Sequence, residues 1–298
     1  MFKSLGLTGN IAKKDLPVVA GKICEWCRKK DIQIYVDESL YPLLKVGKKS
    51  PPKITKGDFS ECDLLCAMGG DGFFLHAIRT LYPTDIPILP VNLGSLGFTA
   101  QTLPGEITTV LNQILKNKIQ ITKRYLLKIG VSENTSGAPP MVALNDVLLI
   151  KETRSRLIHV EVCIDGRILG EVSCDGMVVS TATGSTAYNL SAGGPIVHPT
   201  LPAIIIAPLL PHTISSRPVI IPDNMIVELK LVSHKDREDA LFCIDGQYWW
   251  KALSGESVQI SLAQKPIKIV EPYSERYFEK LRRNLKWGIS PRVIEEII

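Results

Sequence analysis

The residues most able to do chemistry form a short turn of glycines around one acid, GGDG at residues 69–72. An apolar run ends just before this turn and an amphipathic segment begins just after it, so the turn is expected to join a buried strand to a helix. Glycines let backbone amides and the positive end of a helix approach a phosphate closely. The sequence therefore predicts a phosphate-binding loop.

The acid inside this turn indicates catalysis as well as binding. A carboxylate next to phosphate is repelled unless it binds Mg²⁺ or accepts a proton from an incoming hydroxyl. Asp71 is therefore a candidate catalytic residue. The alternative is that Asp71 only caps the helix that follows it. The chain contains no G-x-x-x-x-G-K-[ST] motif, so a Walker-type ATPase is excluded.

A second polar segment, STATGSTAYNLS at residues 180–191, follows another apolar run. Its hydroxyl groups are suited to hydrogen bonds with sugar and phosphate oxygens, and Tyr188 offers a flat face to a ring. Together, the two segments favour a nucleotide as the ligand.

Composition limits the partners. The chain has 298 residues and a formal net charge of +5, with no basic tail, so we expect no nucleic-acid partner. The most apolar stretch, residues 201–210, is about half the ~20 residues that a membrane helix needs, and we expect no membrane partner. Seven cysteines scattered through apolar segments favour buried thiols in a reducing, cytoplasmic location. A zinc site at the pairs Cys24/Cys27 and Cys62/Cys66 is the less favoured alternative.

Two patterns of hydrophobicity divide the chain. Over the first 120 residues short apolar runs alternate with amphipathic segments, which is typical of parallel strands connected by helices. From about residue 123 helical periodicity nearly vanishes, and short apolar runs follow one another. Asp165-Gly166 and Asp245-Gly246 each separate two such runs and predict hairpin turns.

Five motifs, in chain order, match those of bacterial NAD kinases. They are GGDG (69–72), NLGSLGF (92–98), ALNDV (143–147), SCDGMVVSTATGSTAYNLSAGGPIV (173–197) and HTISSRPVIIP (212–222). The chain thus resembles the ATP-NAD kinase family over about residues 2–264. The resemblance implies ATP-dependent phosphorylation of the 2′-hydroxyl of the adenosine ribose of NAD, which gives NADP.

The resemblance also implies roles for individual residues. Asp71 would accept the proton of the ribose 2′-hydroxyl as that oxygen attacks the γ-phosphate in line. Asn145 and Asp146 would hold ribose hydroxyls of NAD. Asp175 would lie near the nicotinamide carboxamide or its ribose.

Further residues are implied as contacts of the dinucleotide, with residues 186–191 wrapped around it and Tyr188 against a base. The full set of NAD-binding residues is expected to be Asp71, Gly72, His76, Phe98, Asn145, Asp146, Arg156, Ser173, Asp175, Thr186, Ala187, Tyr188, Asn189, Ser191 and Gln247. The implied cofactor is Mg²⁺, or another divalent cation, carried in with ATP. A homo-oligomer, a dimer or a tetramer, is also implied.

The expected fold has two domains. Residues 1–120 are predicted to form an α/β nucleotide-binding domain with a Rossmann-like open sheet, which carries the GGDG turn. Residues 121–271 are predicted to form a β-rich, sandwich-like domain that binds NAD. Residues 272–298 are predicted to pack back on the α/β domain.

Some positions depart from the family pattern. Phe73 stands where threonine or asparagine is common, Asp146 where glutamate is frequent, Ala182 where proline is frequent, and Ala100 at an often acidic position. Two alternative functions stay open. One is a lipid or sphingoid-base kinase, which shares the GGDG loop, and the other is a non-catalytic NAD(H) sensor in which Phe73 has disabled transfer.

Overall fold

The structure is a computed structural model that describes residues 2–44, 59–94, 97–99, 102–131, 142–152, 157–232, 240–271 and 276–288. Arg156 of the predicted site and Ala100 lie outside the described residues. The chain forms two compact units. The first is drawn from residues 1–74, 86–122 and 269–298, and the second from residues 75–85 and 123–268.

The order of strands and helices changes character near residue 120. In the described residues the strands are β1 (Ser4–Gly9), β2 (Gln33–Val36), β3 (Leu64–Gly69), β4 (Ile88–Asn92), β5 (Gln120–Arg124), β6 (Leu127–Val131), β7 (Val142–Ala143), β8 (Asp146–Lys151), β9 (Ile158–Ile164), β10 (Arg167–Cys174), β11 (Gly176–Thr181), β12 (Ala203–Leu209), β13 (Val219–Pro222), β14 (Val227–Val232), β15 (Ala240–Ile244), β16 (Tyr248–Ala252), β17 (Ser257–Leu262) and β18 (Ile267–Glu271). The helices there are α1 (Leu16–Lys29), α2 (Asp71–Leu81), α3 (Ile107–Leu115), α4 (Tyr188–Ser191) and α5 (Arg276–Leu285), with 3-10 turns at Tyr41–Leu43 and Thr183–Thr186. The chain is therefore α/β first and β-rich afterwards, as the sequence predicts.

The first unit is built on a six-stranded sheet in the order β2-β1-β3-β4-β18-β5. β1 pairs in parallel with β2 and β3, and β4 pairs in parallel with β3 and β18. All residues of β1, β3 and β4 are buried, which is typical of parallel strands covered on both faces. Helix α1 packs Leu16, Val19 and Ile23 into this core.

Parallel pairing brings the ends of β3 and β4 to one edge of this sheet. Gly69, the last residue of β3, lies in register with Asn92, the last residue of β4. Ligands of open α/β sheets bind outside the carboxyl ends of the strands. The GGDG turn and the motif at residues 92–98 therefore start at neighbouring points on the edge where a ligand is expected.

The second unit contains two six-stranded sheets, in the orders β10-β9-β14-β17-β6-β7 and β13-β12-β11-β8-β15-β16. One hydrophobic cluster draws on both, with Val160 and Leu229 from the first of these sheets and Leu149 and Val179 from the second. Buried and partly buried residues alternate along β14, which is the pattern of a strand with one face in a core. Sheet packing therefore forms the core of this unit.

Both Asp-Gly pairs form the predicted hairpin turns. Asp165 and Gly166 have φ of 49° and 74°, and Asp245 and Gly246 have φ of 51° and 66°. Positive φ at two successive residues gives the turn a twist that matches the flanking strands, and glycine and aspartate tolerate it. The turns connect β9 to β10 and β15 to β16.

Several strands are not expected from the sequence pattern. β10 has an irregular burial pattern. β10 and β16 each lie at the edge of a sheet and expose apolar side chains such as Ile168 and Trp249. Tyr125 and Leu126 separate β5 from β6. Among the described residues, no helix is long and apolar enough to cross a membrane.

Candidate functional site

The GGDG turn leads from β3 directly into α2. Gly69 must lack a side chain, because an ideal Cβ there would lie 2.7 Å from the Cβ of Phe73. At Gly70 an ideal Cβ would have no heavy atom of the described residues within 4 Å. The backbone at Gly70 is therefore open to a close approach, as a phosphate-binding loop requires.

The side chain of Asp71 turns towards residues 97–99. Its Oδ2 accepts a hydrogen bond from the Phe98 backbone N–H at 2.9 Å, and its Oδ1 accepts one from the Thr99 N–H at 3.3 Å. A Cβ on Gly97 would clash with the same carboxylate. Capping of α2 alone does not explain these bonds, which fix the acid against the motif that follows β4.

Two lysines of the first unit lie close to this arrangement. Lys280 on α5 is only 5% exposed and donates from Nζ to the Phe98 carbonyl oxygen at 3.0 Å. An ideal Cβ on Gly94 would lie 3.4 Å from Lys13 Nζ and 3.9 Å from Gly70 Cα. Lys13 therefore brings a positive charge next to the glycine turn, where an anion would be attracted.

In the second unit, residues 144 and 145 connect β7 to β8, and together with Asp146, the first residue of β8, they form the 144–146 turn. The carbonyl of Asn145 accepts hydrogen bonds from the Thr181 N–H at 2.9 Å and the Ser180 Oγ at 3.2 Å. The Thr181 Oγ1 donates to the Leu144 carbonyl at 2.6 Å and accepts from the Gly184 N–H at 3.0 Å. The end of β11 therefore holds this turn from one side.

Asp245 holds the same turn from the other side. Its carboxylate accepts hydrogen bonds from three successive backbone N–H groups, of Leu144 at 3.2 Å, Asn145 at 2.8 Å and Asp146 at 3.3 Å. Arg79 forms an ion pair with it at 2.7 Å, and the side chains of the arginine and the acid are only 9% and 0% exposed. The Asp245-Gly246 hairpin is therefore a support for the 144–146 turn as well as a reversal of the chain.

Asp146 is a buried acid, only 3% exposed. Burial is the largest cause that raises the pKa of its carboxyl to about 7, and the charge of Asp245 acts in the same direction. The Tyr188 backbone N–H, which donates to Asp146 Oδ2 at 3.4 Å, opposes the shift. A carboxyl whose pKa is raised in this way can be protonated near neutral pH and can then donate a hydrogen bond as well as accept one.

The segment after β11 is a compact, polar turn. Asn189 is fully buried, and its Nδ2 donates to the carbonyls of Ser185 at 3.2 Å and Pro195 at 3.1 Å. Ser185 in turn accepts from the Val197 N–H at 3.0 Å. Tyr188 is 42% exposed, so its ring is accessible to a ligand. Asn189 thus shapes the segment, and Tyr188 presents a free face.

Two other predicted site residues, Ser173 and Asp175, lie away from the 144–146 turn. Ser173 Oγ lies 3.0 Å from His159 Nδ1, and Asp175 pairs with Lys151 at 2.6 Å. Because Asp146 and Lys151 are opposite ends of β8, Asp175 lies roughly 17 Å from Asp146 along that strand.

Others among them can be described by exposure and contacts. His76 and Ser191 are exposed, Thr186 and Ala187 are partly buried, and Gln247 accepts a hydrogen bond from Arg79. The structure therefore brings together Asp71, Gly72 and Phe98 in the first unit, and Asn145, Asp146, Tyr188 and Gln247 in the second.

Sequence reasoning missed Arg79, Asp245, Lys13 and Lys280 as members of these arrangements. The Asp-Gly pattern predicts only a turn at Asp245. One usable signal is that two acids, Asp146 and Asp245, each lie next to an apolar run. Arg79 and Asp245 are 166 residues apart, so their pairing appears only in the folded chain.

The seven cysteines are free thiols, and six of them are buried. Burial raises the pKa of Cys24 to about 11 and that of Cys27 to about 12, so these thiols are protonated at neutral pH. No group of three or more His, Cys, Asp or Glu among the described residues could hold a metal ion.

A parallel sheet with a glycine turn and an acid at its carboxyl edge is typical of nucleotide-binding phosphotransferases. Comparison with known protein families identifies the particular family within this class. Residues 5–119 match the ATP-NAD kinase N-terminal domain, and residues 144–272 match the ATP-NAD kinase C-terminal domain. The chain belongs to the ATP-NAD kinase family.

Individual relatives are similar in sequence to this chain over nearly its whole length. An NAD kinase of Citrifermentans bemidjiense is 35% identical over 287 residues, which are 96% of this chain and 99% of the relative. An NAD kinase of Azotobacter vinelandii is 33% identical over 96% of this chain and 97% of its own.

Solved structures share the fold. A crystal structure of yeast NADH kinase complexed with NADH has a TM-score of 0.84 at 24% identity, covering 97% of this chain and 89% of its own. A crystal structure of an NAD kinase from Archaeoglobus fulgidus in complex with ATP has a TM-score of 0.72 at 21% identity, covering 95% of this chain and 98% of its own.

Proposed function

We propose that this protein is an NAD kinase that transfers the γ-phosphoryl group of ATP to the 2′-hydroxyl of the adenosine ribose of NAD and so produces NADP. The observation that carries the proposal is Asp71, an acid in a glycine turn whose carboxylate is fixed by the backbone of Phe98 and Thr99. The family match adds the donor and the acceptor, since relatives of similar length are NAD kinases.

In this reaction Asp71 accepts the hydroxyl proton. The 2′-oxygen forms its bond to the γ-phosphorus as the bond from that phosphorus to the β–γ bridging oxygen breaks, and ADP leaves. The chain's contribution is mainly positioning and charge neutralisation. The amides of the GGDG turn and the ammonium group of Lys13 are suited to hold the donor's phosphates, because Gly70 is open and the lysine lies beside Gly94.

The 144–146 turn and the segment after β11 are proposed to bind NAD. Asn145 and Asp146 would hold ribose hydroxyls, and a carboxyl with a pKa of about 7 is able to take either role in such a hydrogen bond. Tyr188 would lie against a base. The other contacts stay as proposed from the resemblance: Gly72, His76, Phe98, Arg156, Ser173, Asp175, Thr186, Ala187, Asn189, Ser191 and Gln247.

The finer description of the fold is also a proposal. The parallel sheet would act as a Rossmann-like nucleotide domain, and the two packed sheets as a sandwich-like NAD-binding domain, divided near residues 120 and 271. The bond from Lys280 to Phe98 supports a C-terminal segment that packs back on the α/β domain.

Mg²⁺ would enter with ATP. This ion binds through one or two carboxylates plus substrate phosphates and keeps several waters, so the chain needs no preformed cluster of ligands for it. Because Asp71 is assigned to the hydroxyl proton, the phosphates of ATP and water molecules would supply most of the ligands of the ion. The ion would neutralise charge on the transferring phosphoryl group. A cytoplasmic location and a homo-oligomer are proposed from the resemblance.

The proposal is tested by incubating the purified chain with NAD, ATP and Mg²⁺ and measuring NADP with an NADP-specific dehydrogenase. We expect steady NADP formation that depends on all three components. Tight NAD binding without product would instead identify a non-catalytic sensor. Transfer of labelled phosphate to a sphingoid base or diacylglycerol, with none to NAD, would identify a lipid kinase.

A further inference from the structure

The buried ion pair of Arg79 and Asp245 lies directly behind the 144–146 turn. Asp245 Oδ1 accepts from the N–H groups of Asn145 and Asp146, and Oδ2 accepts from Leu144 N–H and from Arg79. Three successive amides of the turn therefore converge on one carboxylate. The shape of the turn therefore depends on a negative charge at Asp245.

That charge is difficult to maintain at this place. Burial raises the pKa of the Asp245 carboxyl, and the acid Asp146 lies close enough to repel it. Arg79 is the cation that opposes both effects, at 2.7 Å. An arginine also suits the position geometrically, because its second nitrogen donates to Gln247 in the same hairpin while the first contacts Asp245.

We propose that Arg79 is a positioning residue for dinucleotide binding, which acts through Asp245 to fix the backbone that presents Asn145 and Asp146. The inference rests on the proposed function of this turn. Arg79 has no proposed contact with NAD, ATP or the reacting atoms. Its loss should therefore weaken NAD binding and leave the donor and the transfer step largely unaffected.

The test compares Arg79→Met with wild type in the full chain, measuring KM for NAD, KM for ATP and kcat. We expect KM for NAD to rise about tenfold or more, because Asp245 loses its paired cation and its hydrogen bonds to the turn are weakened. KM for ATP and kcat at saturating NAD should change less than about threefold. Arg79→Lys keeps the positive charge but cannot donate to Asp245 and Gln247 with two fixed nitrogens. Its KM for NAD should lie between those of wild type and Arg79→Met.

Lys230→Met is the matched control. It removes the cation of another ion pair in the same unit, Lys230 with Glu161 at 3.9 Å, where both side chains are more exposed. All three constants should equal those of wild type. An unchanged KM for NAD in folded Arg79→Met would overturn the proposal. So would a fall in kcat that simply follows the fraction of folded protein while both KM values stay at wild-type levels.

A double variant covers the case in which Arg79→Met does not fold because it leaves Asp245 unpaired. Arg79→Met with Asp245→Asn removes both charges and keeps one amide oxygen as acceptor for the backbone. We expect this protein to fold and to keep a raised KM for NAD. A wild-type KM for NAD in the double variant would contradict the inference.

Backbone amide hydrogen exchange separates this inference from the proposed function. In wild type the amides of residues 144–146 should be protected, and Arg79→Met should speed their exchange by about tenfold or more. The control Lys230→Met should not. If wild type makes no NADP, the proposed function fails, but the exchange rates still decide whether Arg79 supports the turn. Unchanged exchange would refute it.

Discussion

Asp146 is a buried acid whose ionisation is costly for the stability of the fold. Its carboxyl is buried beside a second acid, and its pKa is raised to about 7 from an ordinary value near 3.8. A group whose pKa is higher in the folded chain than in the unfolded chain stabilises the fold fully only below the unfolded value. That contribution is lost as the pH rises through the folded pKa.

We therefore predict that Asp146→Asn becomes more stable relative to wild type as the pH rises from about 4 to about 7. The relative gain should be on the order of 1.4 kcal/mol for each pH unit within this window and level off above it. Urea unfolding at pH 5, 6, 7 and 8 measures the free energies. A difference between the two proteins that does not vary with pH would contradict the raised pKa.

At the scale of residues, the sequence indicates some candidate functional residues but not others. Asp71 stands out in the sequence because three glycines surround it, as in a phosphate-binding turn. Arg79 and Asp245 cannot be found in that way, because each is ordinary among its sequence neighbours. Their role arises from packing between distant segments.

At the scale of elements, the turn after β11 depends on the absence of a side chain at Gly184. An ideal Cβ there would clash with the Asn145 carbonyl oxygen and lie 2.6 Å from the Asn145 Cα. The close backbone approach lets β11 and the following 3-10 turn support residues 144–146. Gly21, within α1, is a contrasting case with no described heavy atom within 4 Å of its ideal Cβ.

Gly184→Ala should therefore destabilise the chain by about 1–3 kcal/mol, as expected for overpacking against rigid backbone, and should weaken NAD binding. The matched control Gly21→Ala should stabilise it by about 0.5–1 kcal/mol, because alanine is the better helix residue. Urea unfolding and calorimetric titration with NAD measure both effects. Equal stability and equal NAD affinity in the two variants would show that the close approach does not matter.

Helix α2 is an element whose presence and position the sequence predicts well. Its apolar periodicity and the preceding glycines indicate a helix after a buried strand, and the structure has one that starts at Asp71 and carries Arg79 about two turns later. Edge strands such as β10 are harder to predict, since an edge has neither a fully buried nor a cleanly alternating pattern.

At the scale of the whole molecule, the chain returns to its first sheet after completing the β-rich part. β18 pairs with β4, although about 175 residues separate them, and residues 269–298 belong to the first unit. The sequence predicts the change from α/β to β-rich near residue 120 because periodicity changes there. It does not indicate that β18 joins the first sheet, because β18 resembles one more short apolar run after β17.

The proposed reaction depends most on Asp71, as the acceptor of the proton of the NAD ribose 2′-hydroxyl. The most direct measurement is single-turnover NADP formation by Asp71→Asn at saturating NAD, ATP and Mg²⁺, together with its NAD affinity. We predict an affinity within about threefold of wild type and a rate lower by about 10²–10⁴, the usual contribution of a general base. A transfer rate within about threefold of wild type would contradict the account.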